Sequence, residues 1–129
     1  MKKILSAICL ALIILTSCQQ AKQKVFEIAS QEVNKQCPMK IDDVTRMDST
    51  TYTSKDNTFT YYSLSGAADD PSAVEATQKQ MEEKLPGIIK STNELKIYRE
   101  AKVTMLYIYF SEKTQQKLFS VKVTPDMYQ

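Results

Sequence analysis

Hydrophobic and polar positions follow two periods along this chain, and those periods divide it into elements. Across residues 25–36, Val25, Ile28, Ala29 and Val33 recur at helical spacing, with Gln31 and Lys35 on the opposite face. Cys37-Pro38 ends this helix, because a proline pushes the residue before it out of the α region. Thr45–Thr53 and Thr58–Leu64 are dense in Thr, Ser, Tyr and Phe, which favour extended backbone, and Ser54-Lys55-Asp56-Asn57 between them has turn composition. The spacing predicts a hairpin over 44–65. Gly66-Ala67-Ala68-Asp69-Asp70-Pro71 breaks that pattern. A second helix is predicted over 71–91, with Asp70 as N-cap and Pro71 in the first turn. Val74, Met81, Leu85 and Ile88 form its apolar stripe, and Pro86-Gly87 predicts a kink or a division into two short helices. Asn93–Ala101 reads as a further short helical turn. Residues 103–111 and 117–124 predict a second hairpin. Both faces of Val103–Phe110 are apolar, the pattern of a strand covered on both sides. The last strand alternates Phe119, Val121 and Val123 against Ser120, Lys122 and Thr124.

The order α-β-β-α-β-β predicts an α+β, two-layer domain. Its economical packing is a four-stranded antiparallel sheet of two hairpins with the helices on one face. The other face is then open. The chain has seven tyrosines and no tryptophan. Tyr52, Tyr61, Tyr107 and Tyr109 fall on predicted strands. Tyrosine is amphipathic and common at contact surfaces. If these four share the open face, that face is a candidate surface for a protein partner or a second copy of the chain. The competing reading is plain strand propensity with half-buried rings.

The first residues belong to a different pattern. Lys2 and Lys3 precede an apolar run from Ile4 to Leu15, followed by Thr16-Ser17 and then Cys18. This is an export signal over 1–17, to be removed. The run spans 12 positions, short of the roughly 17–25 residues a spanning helix needs. Leu15-Thr16-Ser17-Cys18 resembles the lipobox of bacterial lipoproteins. The resemblance implies cleavage before Cys18 and acylation of that residue, palmitate among the chains, so that the membrane is reached through lipid on Cys18. Residues 18–24 would be the lipidated cysteine and a short polar tether, and 25–129 a single domain. Position 19 is glutamine rather than aspartate, which by the same resemblance points to the outer membrane, on its periplasmic side.

Charge changes the picture once the signal is gone. Loss of Lys2 and Lys3 from the 17 basic residues leaves 15 against 15 acidic ones. No basic stripe is present, so nucleic-acid binding is not expected. The chain has no histidine, the commonest general base and transition-metal ligand. Cys9 leaves with the signal and Cys18 is acylated, so Cys37 is left alone and no disulfide framework is expected. Cys37 reads as a small buried residue past a helix end. The carboxylate pairs Asp42-Asp43, Asp69-Asp70 and Glu82-Glu83 lack the separation of a glycosidase pair and the spacing of a calcium loop. Two glycines cannot make a phosphate loop. No catalytic residue, cofactor or metal site is expected.

Residues 34–48, NKQCPMKIDDVTRMD, carry a second resemblance. Asn34, Pro38, Ile41-Asp42 and Thr45-Arg46 resemble a pattern in small exported bacterial proteins of uncharacterised function, where leucine commonly stands at the position of Cys37. The resemblance implies a compact exported domain and no known activity. From the residues alone, Asp42 and Arg46 are placed to pair at the start of the first hairpin. The expected function is therefore a membrane-anchored, non-catalytic binding or assembly module of the cell envelope. The alternatives are a small envelope hydrolase using carboxylates or Cys37, and a carrier with a ligand cavity between helices and sheet of about 300 Å³ or more.

Overall fold

A computed structural model describes residues 20–67 and 69–129; the signal segment and Cys18 lie outside the described residues. Helix α1 covers residues 20–36. Residues 20–24, expected to be tether, are helical and belong to it. Alanine, lysine and glutamine are good helix formers, and Phe26 just beyond them is buried, so packing extends the helix back past its apolar pattern. There follow β1 (Met39–Lys40), β2 (Thr45–Thr53), β3 (Thr58–Ser65), α2 (Pro71–Ser91), a 3₁₀ turn (Asn93–Leu95), α3 (Lys96–Glu100), β4 (Thr104–Ser111), β5 (Lys117–Val123) and α4 (Pro125–Tyr128). The class is α+β, as the pattern predicts.

The sheet differs from the expected one. Among the described residues it has five strands in the order β1-β2-β3-β4-β5. The two hairpins are antiparallel, but β3 and β4 run parallel, with Phe59 opposite Met105 and Tyr61 opposite Tyr107. The sheet is therefore mixed, not wholly antiparallel. The reason lies in the connection. At about 1.5 Å per residue the 21 residues of α2 span about 31 Å. The eight residues of β3 span about 26 Å. The helix thus carries the chain back along the full sheet, and β4 starts beside the start of β3. Strand β1 adds a fifth, two-residue edge against Arg46 and Met47.

Residues Phe26, Ile89, Tyr98 and Tyr128 come from α1, α2, α3 and α4. All four join one core with Phe59, Met105, Phe119, Val121 and Val123 of the sheet. The inward face of α1 overlaps the predicted stripe only in part: Ala29 packs against the core and Val33 is half-buried. Phe26 and Ser30 are buried, whereas Val25 and Ile28 are half exposed. Polar residues set this rotation. Ser30 Oγ donates to Thr50 O (3.0 Å) and Asn34 Nδ2 does the same (2.9 Å), while the Thr50 N–H donates to Asn34 Oδ1 (2.6 Å). The Asn34 amide thereby takes both backbone groups of Thr50, as a neighbouring strand would, and closes an edge that β1 is too short to cover. In α2 the Asp70 cap forms as predicted, accepting from the Ala73 N–H (3.2 Å). Pro86 sits inside one continuous helix rather than dividing it, and Ile89, not Ile88, is the buried residue of the last turn. Asp69 is not part of the cap. It accepts from Ser111 Oγ (2.6 Å) and ties the start of α2 to the end of β4.

The other end of the sheet is knotted by Asn57, which takes a positive φ of 51°. Asn57 Nδ2 donates to Ala101 O (3.0 Å) and Lys102 O (3.1 Å), and its Oδ1 accepts from Tyr52 OH (2.7 Å). Its backbone carbonyl accepts from Thr104 N–H (3.0 Å). Asparagine tolerates the left-handed region better than other side chains, so one residue both turns the β2–β3 hairpin and binds it to the α3–β4 turn.

Candidate docking site

Tyr52, Tyr61, Tyr107 and Tyr109 do share one side of the sheet, but it is the side that carries the helices. All four pack against the core. Tyr61 and Tyr107 stack at 4.8 Å and 8° between planes, and Tyr109 stacks on Phe119 at 4.7 Å. The expectation of an open tyrosine surface is corrected accordingly. The signal that identifies the side is phase: Val103 and Met105, both fully buried, stand at even intervals from Tyr107 and Tyr109 along β4. Burial is the largest cause raising each of these four phenols above the ordinary tyrosine range, most strongly at Tyr61 and Tyr107. A group whose folded pKa is raised contributes stability that is complete below its unfolded pKa and is lost as pH climbs towards the folded one. The fold should therefore hold up to about pH 10 and weaken above it. Spectrophotometric titration should show these tyrosines ionising together with loss of ellipticity. Full ionisation near pH 10 with the fold intact would contradict the packing.

The side without helices among the described residues is defined by the opposite phase. Leu106, Ile108 and Phe110 of β4 alternate with the core residues and are each half-buried. In register beside them on β3 stand Tyr62, half-buried, and Thr60 and Leu64, which their neighbours leave only 5% and 6% exposed. On the far side β5 contributes Ser120 and Lys122, and on β2 the flank is Ser49 and Thr51. A shallow hollow of about 300 Å³ is lined by Asp48, Ser49, Tyr62, Leu64, Phe110 and Gln115, with Ser63 at its margin. The arrangement is an apolar centre on the middle strands with a hydroxyl and charged rim, the composition that marks contact surfaces.

Among the described residues, the polar groups singled out in the sequence are engaged as follows. Asp42, Asp43 and Glu112 line one open hollow. Asp42 accepts from Val44 N–H (2.9 Å), and that backbone bond holds its carboxyl below the usual range, the wrong direction for a general acid. Asp43 pairs with Lys40 (3.3 Å). Arg46 pairs with Asp48 (3.5 Å) and Glu112 (3.9 Å), so the predicted Asp42–Arg46 pair does not form. Cys37 is half-buried rather than buried, and burial followed by the charge of Asp48 pushes its thiol up, away from a nucleophilic thiolate. Among the described residues, no group of three or more His, Cys, Asp or Glu side chains is placed to hold a metal ion. No helix of the described residues is long and apolar enough to cross a membrane. An open cleft of about 540 Å³ lies at the α1 end of the sheet, lined by Lys22, Phe26, Tyr52, Lys55, Glu100 and Lys102 among others.

A family model, the domain of unknown function DUF8479, matches residues 20–119. The chain belongs to that family. Three solved structures share the DUF8479 fold seen here. A Pseudomonas aeruginosa protein described as secreted has a TM-score of 0.69 at 14% identity, over 86% of this chain and 96% of its own. EpsS, a pilotin of the Vibrio vulnificus type 2 secretion system, has a TM-score of 0.58 at 8% identity over 86% and 94%. The Vibrio cholerae type II secretion pilotin AspS has a TM-score of 0.63 at 8% identity over 88% and 97%. At such identities the likeness is one of fold. No curated protein matches the sequence. The DUF8479 match takes in the described residues of α1, so the helix that closes the β2 edge belongs to the family's unit.

Proposed function

We propose that this DUF8479 protein is a lipid-anchored, non-catalytic assembly module of the cell envelope, held by acyl chains on Cys18 and docking a protein segment on its open sheet face. The observation that carries the reading is the half-buried row Leu106, Ile108 and Phe110 on central strand β4, beside Tyr62, with no helix of the described residues over it. Three supports accompany it: the shared fold of two secretion-system pilotins, the lipobox-like Leu15–Cys18, and carboxylates engaged in turns and ion pairs. Glutamine at position 19 favours the outer membrane, with the domain in the periplasm. The row on β4 takes the place of the tyrosines as the candidate surface.

The test is capture of partners from cell envelopes by the tagged full chain. Ile108→Asp should reduce recovery of the partner at least tenfold, since burying a lone carboxylate at an interface costs more than about 1.4 kcal/mol. Tyr107→Phe, on the helix-bearing side, should recover it as wild type does. Equal recovery by Ile108→Asp, with its melting temperature unchanged, would remove the sheet face from the proposal. Self-association through the same face would appear instead as a concentration-dependent mass that Ile108→Asp abolishes.

A further inference from the structure

One end of the domain carries an excess of basic side chains that the docking face does not use. Residues 22–26 of α1, the β2–β3 turn and the α3–β4 turn meet there, and Lys22, Lys55 and Lys102 line the cleft between them. None of the three forms an ion pair among the described residues. Of the acidic residues nearby, Glu100 is engaged by Lys96 at 3.7 Å and Glu27 by Lys24 at 3.3 Å, so Asp56, beside Lys55 in the turn, is the one carboxylate set against the three lysines among the described residues. Beside the cleft lies a mostly apolar hollow of about 250 Å³, whose rim includes Val25 and Ile97, 50% and 49% exposed. The opposite end is different: Asp42, Asp43 and Glu112 there face Lys40 and Arg46. With 15 charges of each sign after the signal is removed, this asymmetry and not the total charge gives the domain an electrostatic direction.

Chain length fixes what the basic end faces. Two residues reach at most about 7 Å, and α1 is already formed at residue 20. If Cys18 carries acyl chains, no flexible tether remains to let the domain swing away. The Asn57 knot holds both turns to one another, so the lysines are presented on a rigid frame.

We propose that this end, built around Lys22, Lys55 and Lys102 with Val25 and Ile97 at its rim, is a membrane-apposed face that takes the anionic headgroups of phospholipids. Basic side chains beside exposed apolar ones are the composition of surfaces that lie on a bilayer. The face orients the domain so that the far end of the sheet and its β4–β5 turn point away from the membrane. The proposal rests on acylation of Cys18, which the proposed function already requires.

Hydrogen exchange of the full chain in vesicles tests it. In vesicles of 70% phosphatidylcholine and 30% phosphatidylglycerol, residues 54–57 and 100–103 should exchange more slowly than in phosphatidylcholine alone. Residues 112–116 should exchange equally in both. Lys22→Glu combined with Lys55→Glu and Lys102→Glu should abolish the difference while leaving the chain on the vesicles. Intact mass decides acylation separately. If the chain proves unacylated, the anchor fails, and the basic face is then read by co-sedimentation with the same vesicles. Binding should be salt-sensitive and about a hundredfold weaker in the triple variant, from roughly tenfold or less per lysine at an anionic surface. An acylated chain with no phosphatidylglycerol-dependent protection overturns the face and leaves the anchor standing. Protection that appears only when envelope proteins are added also overturns it, because the occupant is then a protein.

Discussion

Phe59→Ala should cost about 3–5 kcal/mol of unfolding free energy, a large part of the roughly 5–15 kcal/mol available to a domain of this size. Phe59 is fully buried on β3. Its ring lies 6.5 Å from Tyr52, 5.1 Å from Tyr61 and 5.3 Å, edge to face, from Tyr98. The neighbours cannot relax into the space it leaves. Tyr52 is held by its hydroxyl on Asn57, Tyr61 is stacked on Tyr107, and Tyr98 is packed against Phe26 at 4.9 Å. A cavity that cannot collapse costs both the transfer energy and the lost contacts. Urea unfolding followed by circular dichroism measures the change as a shift in midpoint at constant slope. Leu106→Ala, on the half-exposed side, should cost less than half as much. Comparable losses at the two positions would mean that the sheet buries both sides equally, and the open face would no longer exist as a surface.

The elements of this fold are legible in the sequence, and their assembly is not. The Ser54–Asn57 turn, the Asp70 cap and the alternation of β5 each depend on residues within a few positions of one another, and all three form. The parallel pairing of β3 with β4 depends on where a 21-residue helix delivers the chain. No local pattern encodes that. The side of the tyrosines follows the same logic. In Val103–Phe110 both phases are apolar, so the pattern alone leaves the covered phase open. Full burial of Val103 and Met105 selects it. Phe26 was hidden because Val25 and Ile28 offered a competing stripe, and the deciding contacts are polar ones, from Ser30 and Asn34 to Thr50. Asn34 opens the segment that resembles other small exported proteins, and closure of the β2 edge supplies a physical reason for an amide at that place. The resemblance of Leu15–Cys18 is readable because it is wholly local, and it lies outside the described residues.

Cys18→Ala should remove the chain from the acylated membrane fraction. Two or more acyl chains hold a protein stably at a bilayer, each buried CH₂ contributing about 0.8 kcal/mol, whereas one chain holds it only marginally. Without the thiol there is no site for the diacylglycerol, and the signal is expected to remain uncut. The uncut segment is a poor substitute anchor. Its apolar run of 12 residues makes about 18 Å of helix, against a hydrocarbon core of about 30 Å. What remains is the basic end of the domain, and attraction of that kind is screened within about 3 Å at 1 M salt. Wild type should therefore stay with membranes through a high-salt wash, and Cys18→Ala should be released by it, unacylated by intact mass. A variant that matures, carries lipid and resists salt as wild type does would show that Cys18 is not the anchored residue. Retention of an unacylated variant through high salt would place the holding force in the apolar run and not in lipid. In either case the short reach from residue 18 to α1 would no longer set the orientation of the domain.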